Sequence, residues 1–145
     1  MLRTIKLLPQ QIPFFWEAIK KAWVEVNRVE EKDTQVYLNY ILHSLLNDKS
    51  QCFVHLSEDK VLLGMFITSI TFNKITGIKE LRVLAAYAWQ KVSWEEREKT
   101  LVLIKEFAVH AECKKVIVES KNPVVWGLCD RMGMREAYRI FTLEV

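Results

Sequence analysis

The sequence predicts an α/β protein with a mixed, mostly antiparallel sheet and helices on both faces. Three observations support this prediction. Segments in which apolar residues recur every three or four positions flank a central region in which they recur at every second position. This central region contains three strand-like runs joined by short turns. A short apolar run follows a later helix. Strands joined by short turns pair antiparallel, whereas a buried strand reached through a helix pairs parallel with its predecessor. The predicted order is strand, two helices, three strands, helix, strand, helix, strand.

Length and composition restrict the classes of protein to consider. The 145 residues, 50% hydrophobic and 27% charged, fit a single domain over 1–145 with one substantial core. The net charge of +3 is spread along the chain, which argues against a nucleic-acid partner, and the longest apolar stretch is too short for a membrane helix. We therefore expect no nucleic-acid or membrane partner, whereas a homodimer stays open.

The first third of the chain carries a strand and two helices. Residues 2–8 form a short predicted strand that ends at Pro9. Apolar residues then recur at steps of three and four from Ile12 to Val26, which predicts a helix. A second helix is predicted from the capping residue Asp33 to Asn47.

The rest of the chain alternates strands and helices. β-Branched residues at alternate positions predict the central strands. The last helix is predicted from Asn122 as its N-cap and Pro123 as its first residue, and it ends at Gly133. The predicted elements are strands 51–56, 61–72 and 78–89, helix 94–112, strand 116–118, a helix after Asn122 and strand 138–145.

The cysteines indicate a reducing compartment. Cys52, Cys113 and Cys129 are odd in number and widely spaced, so we expect buried, reduced thiols in a cytoplasmic protein. The sequence has no Cys-x-x-Cys or His-x-x-x-His pair, so we expect no metal.

The C-terminal third carries a family resemblance. Residues 105–116 read Lys-Glu-Phe-Ala-Val-His-Ala-Glu-Cys-Lys-Lys-Val, and Asn122 is followed by Leu128, Arg131 and Met132-Gly133-Met134. With the predicted order of elements, these segments resemble the GNAT family of acyl-CoA-dependent N-acetyltransferases. The chain is identified as a divergent member, similar to small acetyltransferase-like proteins of phages and mobile elements.

The resemblance implies acetyl-CoA or another acyl-CoA as the cofactor. In this family the fourth and fifth strands splay apart, and the pantetheine arm bonds to fourth-strand backbone, which corresponds here to Leu84, Ala85 and Ala86. The diphosphate rests on amides in a glycine-rich loop before the third helix, but residues 92–97 read Val-Ser-Trp-Glu-Glu-Arg and contain no glycine. We expect Arg97 and Asn122 to contribute the remaining cofactor contacts.

The same loop contains a helix-capping signature. Ser93 and Glu96 have the Ser-x-x-Glu spacing of a capping box, in which the hydroxyl and the carboxylate satisfy the first amides of the helix. Such a helix keeps fewer free amides for a phosphate, and Glu95 and Glu96 add negative charge there.

Two residues are candidates for acid–base catalysis. Glu80 starts the fourth strand in Glu-Leu-Arg-Val-Leu-Ala-Ala, which resembles family members whose glutamate deprotonates the amine through water. The alternative is a solvated glutamate paired with Lys79 or Arg82. Cys129 stands where the family commonly has a tyrosine that protonates the CoA thiolate. Its alternative role is core packing.

Two functions remain open from the sequence. The first is transfer of an acyl group from acyl-CoA to a primary amine. The second is a catalytically degenerate GNAT-fold module that binds a protein partner through the aromatic residues Tyr87, Trp89 and Trp94.

Overall fold

The computed structural model describes residues 3–145. Over this range it contains five strands and four α-helices, and none of these helices is long and apolar enough to cross a membrane. The elements are β1 Arg3–Lys6, α1 Ile12–Asn27, α2 Thr34–Leu46, β2 Ser50–Leu56, β3 Leu62–Phe72, β4 Lys79–Ala88, α3 Trp94–His110, β5 Lys115–Val118 and α4 Pro123–Arg131.

The strands form one sheet in the order β1-β2-β3-β4-β5. The first three pairs are antiparallel, and β5 lies parallel to β4, as the connection through α3 predicts. The predicted mixed, mostly antiparallel sheet is therefore confirmed.

Each face of the sheet packs against helices, which confirms the predicted layers. On one face, α1 and α2 bury side chains against alternate residues of β2, β3 and β4, among them Ile19, Trp23, Ile41, Val54 and Ile67. On the other face, α3 packs through Ile104 and Ala108 on the complementary residues, which include Phe53, Phe66, Leu81 and Val83. β4 contributes to both cores, with Leu81 and Val83 in the core beneath α3 and Ala85 in the core beneath α1 and α2.

The predicted last strand, 138–145, is wrong. Residues 134–145 have no regular structure, and β5 remains the edge of the described sheet. Ile140 and Phe141 are adjacent and therefore point to opposite sides of any extended chain, and they are 66% and 88% exposed. The apolar residues of this segment thus do not form the one-sided pattern that would fix a strand against the four-residue β5.

A bulge bends β4 in the middle. Ala85 lies opposite Ile67 of β3, but Val83 lies opposite Thr68, so Leu84 is an extra residue between two paired ones. Pairing of β4 with β5 ends at the same place, with Val83 opposite Val118, although β4 continues to Ala88. The two parallel strands therefore separate at the bulge.

The predicted capping box at the start of α3 is confirmed. The Glu96 amide donates to Ser93 Oγ at 3.2 Å, and the Ser93 amide donates to Glu96 Oε2 at 3.2 Å. The two side chains together satisfy two backbone amides at the start of the helix.

We expect Ser93→Ala to lower the free energy of unfolding by about 1 kcal/mol, because the Glu96 amide loses its acceptor. Denaturant unfolding followed by circular dichroism measures this change. Ser93→Asp is the matched control, since its carboxylate also accepts at a helix cap, and it should stay close to the unmodified protein. Equal midpoints for Ser93→Ala and the unmodified protein would contradict the role of the hydroxyl.

Candidate functional site

The central feature of the candidate site is the cleft that opens where β4 leaves β5. The Trp89 amide, directly after β4, donates to Leu63 O of β3 at 2.9 Å. Backbone groups alternate in direction along a strand, so the amide and carbonyl of Ala88 and of Ala86 point away from β3, towards the cleft. Both alanines are exposed. An extended ligand could pair with this backbone as a further strand would.

The three predicted cofactor-binding residues of β4 differ in their surroundings. Leu84 is the extra residue of the bulge and packs against the α1/α2 core, and the Ala85 side chain is buried in the same core. Ala86 alone is exposed, on the part of β4 that β5 no longer covers. Any ligand contact of Leu84 must therefore be made through its backbone. The amide and carbonyl of Ala85 point to β3 by the alternation described above, so Ala85 offers the cleft neither its side chain nor these backbone groups.

The start of α3 lies beside the end of α4. The guanidinium carbon of Arg131 on α4 stands 3.8 Å from the centre of the Trp94 ring, in a cation–π contact. Trp94 Nε1 also donates to Glu98 Oε1 at 2.6 Å. Trp94 is thus held from both sides instead of being free for a partner.

The acidic residues at this helix start already have local partners. Glu95 pairs with Lys99 at 3.5 Å, Glu96 serves the capping box, and Glu98 accepts from Trp94. Arg97 is half-buried in the same turn. With Lys91 and Arg131 close by, cationic side chains are at least as numerous here as carboxylates.

Asn122 has a structural role in the described chain. Its Oδ1 accepts from the Val124 amide at 3.0 Å and caps α4, and its own amide donates to Ser120 Oγ at 3.0 Å. The predicted cap is confirmed, and the cap uses the side-chain oxygen of Asn122. The predicted cofactor contact of Asn122 remains a prediction.

Glu80 is buried, not solvated. The residue is 3% exposed, and its Oε1 accepts from Arg82 Nη2 at 3.4 Å. The pairing with Arg82 that the sequence suggested is therefore present, but the prediction that this carboxylate is solvated is wrong. Glu80 lies at the start of the β4–β5 pairing, opposite Lys115, whereas the cleft opens at the other end of that pairing.

Arg82 is the centre of a polar cluster on the α1/α2 face of the sheet. Its guanidinium pairs with Glu80 and with Glu119, its Nε donates to Thr71 Oγ1 at 3.0 Å, and its Nη1 donates to the Tyr138 hydroxyl at 3.4 Å. Sequence reasoning missed Glu119. The parallel register places Arg82 opposite Ile117, two residues before Glu119, and side chains two residues apart share a face.

Cys129 lies half-buried on α4. Burial raises the pKa of its thiol, so at neutral pH the group is protonated, which is the form that a proton donor needs. Cys52 is fully buried in the α1/α2 core, where desolvation raises its pKa to about 12. Cys113 is also buried, and desolvation raises its pKa too.

We expect a thiol reagent such as Ellman's reagent to label only Cys129 in the folded protein, because the thiolate is the reactive form and the other two thiols are buried. Mass spectrometry of the labelled peptides checks this, with Cys129→Ser as the matched control that should take up no label. Labelling of Cys52 before unfolding would contradict the burial seen in the core.

The predicted aromatic group is not an open docking surface. Tyr87 and Trp89 pack edge to face with centroids 4.8 Å apart and rest on the α1/α2 core. A hydrogen bond from Tyr87 to Glu25 of α1 raises the pKa of the tyrosine, with smaller contributions from desolvation and from the charge of Glu25. These contacts place the Glu25 carboxylate over the separated part of β4.

Within residues 3–145, no group of three His, Cys, Asp or Glu side chains is placed to hold a metal ion.

Comparison with known proteins identifies the fold. No family model and no curated sequence matches the chain. Among solved structures, an acetyl transferase from Pyrococcus furiosus matches with a TM-score of 0.72 and 18% identity over 100% of both chains. A predicted acetyltransferase from Clostridium acetobutylicum, solved with acetyl-CoA, matches with a TM-score of 0.74 and 13% identity over 99% of this chain and 96% of that chain.

An aminoglycoside 6'-N-acetyltransferase from Acinetobacter baumannii is similar as well, with a TM-score of 0.69 and 11% identity over 100% of this chain and 98% of that one. The fold is thus that of the GNAT acetyltransferases, as the sequence resemblance implies. At these identities the likeness establishes the fold, and the function has to be argued from the site.

Proposed function

We propose that this protein transfers an acyl group from acyl-CoA to a primary amine. The observation that carries the proposal is the separation of β4 from β5 at the Leu84 bulge, which leaves the backbone of Ala86 and Ala88 facing an open cleft. A β-strand edge in this position supplies amides and carbonyls in the spacing that the two amide groups of a pantetheine arm can use.

The diphosphate of CoA would be held mainly by side chains. The helix start has no glycine, and Ser93 already satisfies one of its amides. The same region contains the cationic side chains of Arg97, Arg131 and Lys91. A guanidinium group can form two parallel hydrogen bonds to one phosphate. Acyl-CoA therefore fits the cleft well and the helix start less well.

The chemistry needs one group to take protons from the amine and one to give a proton to the departing thiolate. The carboxylates of the Arg82 cluster are candidates for the first role, and the protonated thiol of Cys129 is a candidate for the second. We place this reaction in the cytoplasm, because all three cysteines are free thiols.

Binding tests the proposal first. A thermal-shift series with acetyl-CoA, CoA and longer acyl-CoAs should raise the melting temperature, because a ligand that binds only the folded state stabilises it. Release of CoA thiol is then measured with a polyamine, a lysine peptide, a peptide with a free amino terminus and an aminoglycoside. Absence of both binding and release would overturn the proposal and leave a partner-binding module.

Ala86→Pro tests the cleft itself. Proline removes the amide that faces the cleft, and a strand tolerates proline where its amide is unpaired. We expect acetyl-CoA affinity to fall by about two- to tenfold, the loss of roughly one hydrogen bond, with little change in melting temperature. Ala86→Ser keeps the amide and is the matched control.

A further inference from the structure

We infer that Glu119 is the carboxylate that meets the acceptor amine, and that Glu80 acts through Arg82 as a positioning residue. The inference rests on the proposed function and names the residue that binds the amine and takes its first proton.

The two carboxylates lie at opposite ends of the β4–β5 pairing. β5 pairs with β4 from Lys115 opposite Glu80 to Val118 opposite Val83. Glu119 is the next residue, and it stands where the strands part. Glu80 lies three residues back along β4, about 10 Å from that point at the usual rise of a strand.

Access to solvent also differs between the two carboxylates. The Glu119 side chain is 43% exposed, whereas that of Glu80 is 4% exposed. A substrate ammonium can reach the former from the open cleft. It could contact Glu80 only by displacing packed side chains.

Arg82 supports the same assignment. Its guanidinium contacts both carboxylates, and Thr71 and Tyr138 bind it as well, so its position is fixed from several sides. A guanidinium held in this way orients the Glu119 carboxylate at the mouth of the cleft. Glu80 neutralises Arg82, and as a result the cluster keeps one net negative charge.

This net charge indicates a cationic acceptor. Glu25 adds a second carboxylate on the same side, because it bonds to Tyr87 over the separated part of β4. Carboxylates on this side of the cleft attract a ligand of the opposite sign. The acceptor is therefore a primary amine that arrives as an ammonium ion.

The ammonium ion gives one proton to the Glu119 carboxylate, and the free nitrogen attacks the thioester carbonyl carbon. The carbon–nitrogen bond forms, the carbon–sulphur bond breaks, and the nitrogen loses its second proton to water. The departing thiolate takes a proton from the Cys129 thiol to give the CoA thiol, and Cys129 regains a proton from water. Glu119 releases its own proton to water, so that one proton is released for each acyl group transferred.

Glu119→Gln tests the assignment, because glutamine keeps the size and one acceptor oxygen but cannot take the proton. With the best amine of the panel, we expect kcat/KM at pH 7 to fall by about 100-fold or more, the usual contribution of a proton acceptor. Glu80→Gln should lose about tenfold or less. Acetyl-CoA affinity of both variants should stay within about twofold, and Glu106→Gln on α3 is the charge-matched control.

The pH profile separates catalysis from a structural role. In Glu119→Gln, kcat/KM should rise about tenfold for each pH unit up to the pKa of the amine, and the gap to the unmodified protein should narrow. The reason is that the variant can use only the neutral form of the amine, and the fraction of this form rises tenfold for each pH unit below the pKa of the amine. A purely structural defect would lower the whole profile without changing its shape.

Two outcomes would overturn the inference. If the unmodified protein acetylates the amine and Glu119→Gln retains more than half of its kcat/KM, Glu119 is not the proton acceptor and the proposed function stands. If the unmodified protein neither binds acetyl-CoA nor acetylates any amine, the proposed function fails and this inference fails with it.

Discussion

Replacing Phe66 by alanine should destabilise the protein by about 3–5 kcal/mol, the range found for buried phenylalanine. Phe66 is 2% exposed in the middle of β3. Its ring stacks on Phe53 with centroids 4.5 Å apart and lies in the core beneath α3. The stacked partner and the neighbouring strands cannot close over the space left by the ring, so a cavity adds to the lost burial.

The same strand provides the matched control for this experiment. Phe72 at the end of β3 is 66% exposed, and Phe72→Ala should change the free energy of unfolding by no more than about 0.5 kcal/mol. Urea unfolding of both variants at one pH measures the difference. A Phe66→Ala variant as stable as Phe72→Ala would mean that the core on this face is not packed as described.

Much of the fold could be predicted because its signals are local. The spacing of apolar residues from Ile12 onwards predicts a helix without reference to any other element, and Ser93 with Glu96 marks the start of α3 through contacts three residues apart. The parallel pairing of β5 also follows from local information, since a helix separates it from β4.

The last strand could not be predicted correctly, since its existence depends on a neighbour. Residues 138–145 have a composition typical of strands, but a strand forms only where a partner supplies hydrogen bonds and a face to bury. The β5 edge is four residues long, and the apolar side chains of this segment point to both sides. Composition contains no information about either condition.

The candidate site shows the same division between local and long-range information. Sequence reasoning found Glu80 and named Lys79 or Arg82 as its partner, and the structure pairs it with Arg82, two residues away on the same strand. It missed Glu119, because the contact with Arg82 depends on the register between β4 and β5. The burial of Glu80 likewise depends on elements packed over the sheet, so the identity of the exposed carboxylate became visible only in three dimensions.

Acetyl-CoA should bind the unmodified protein no more tightly than the high micromolar range. The helix start lacks the glycines that allow close approach of a phosphate, and Ser93 Oγ satisfies the Glu96 amide. Two like charges about 6 Å apart repel by roughly 1–3 kcal/mol at an effective dielectric constant of 20 to 40. The Glu95 side chain is 78% exposed and pairs with Lys99, so we expect values at the low end of this range.

Glu95→Gln combined with Glu96→Gln should therefore tighten acetyl-CoA binding by about ten- to thirtyfold, since about 1.4 kcal/mol corresponds to a factor of ten. Glutamine at the third helical position still reaches the Ser93 amide, so the capping box survives the change. Isothermal calorimetry measures the dissociation constants. Glu106→Gln removes one negative charge about 15 Å further along α3 and should leave the affinity unchanged.

Salt concentration shows whether charge is the cause. The gain from the double variant should be largest at low ionic strength and should shrink as salt approaches 0.5 M, because exposed charges are screened over a few ångströms there. A gain that does not depend on salt would point to a change in shape at the helix start. Micromolar or tighter binding by the unmodified protein would show that Arg97, Arg131 and Lys91 outweigh the two carboxylates, and the double variant would then have little left to improve.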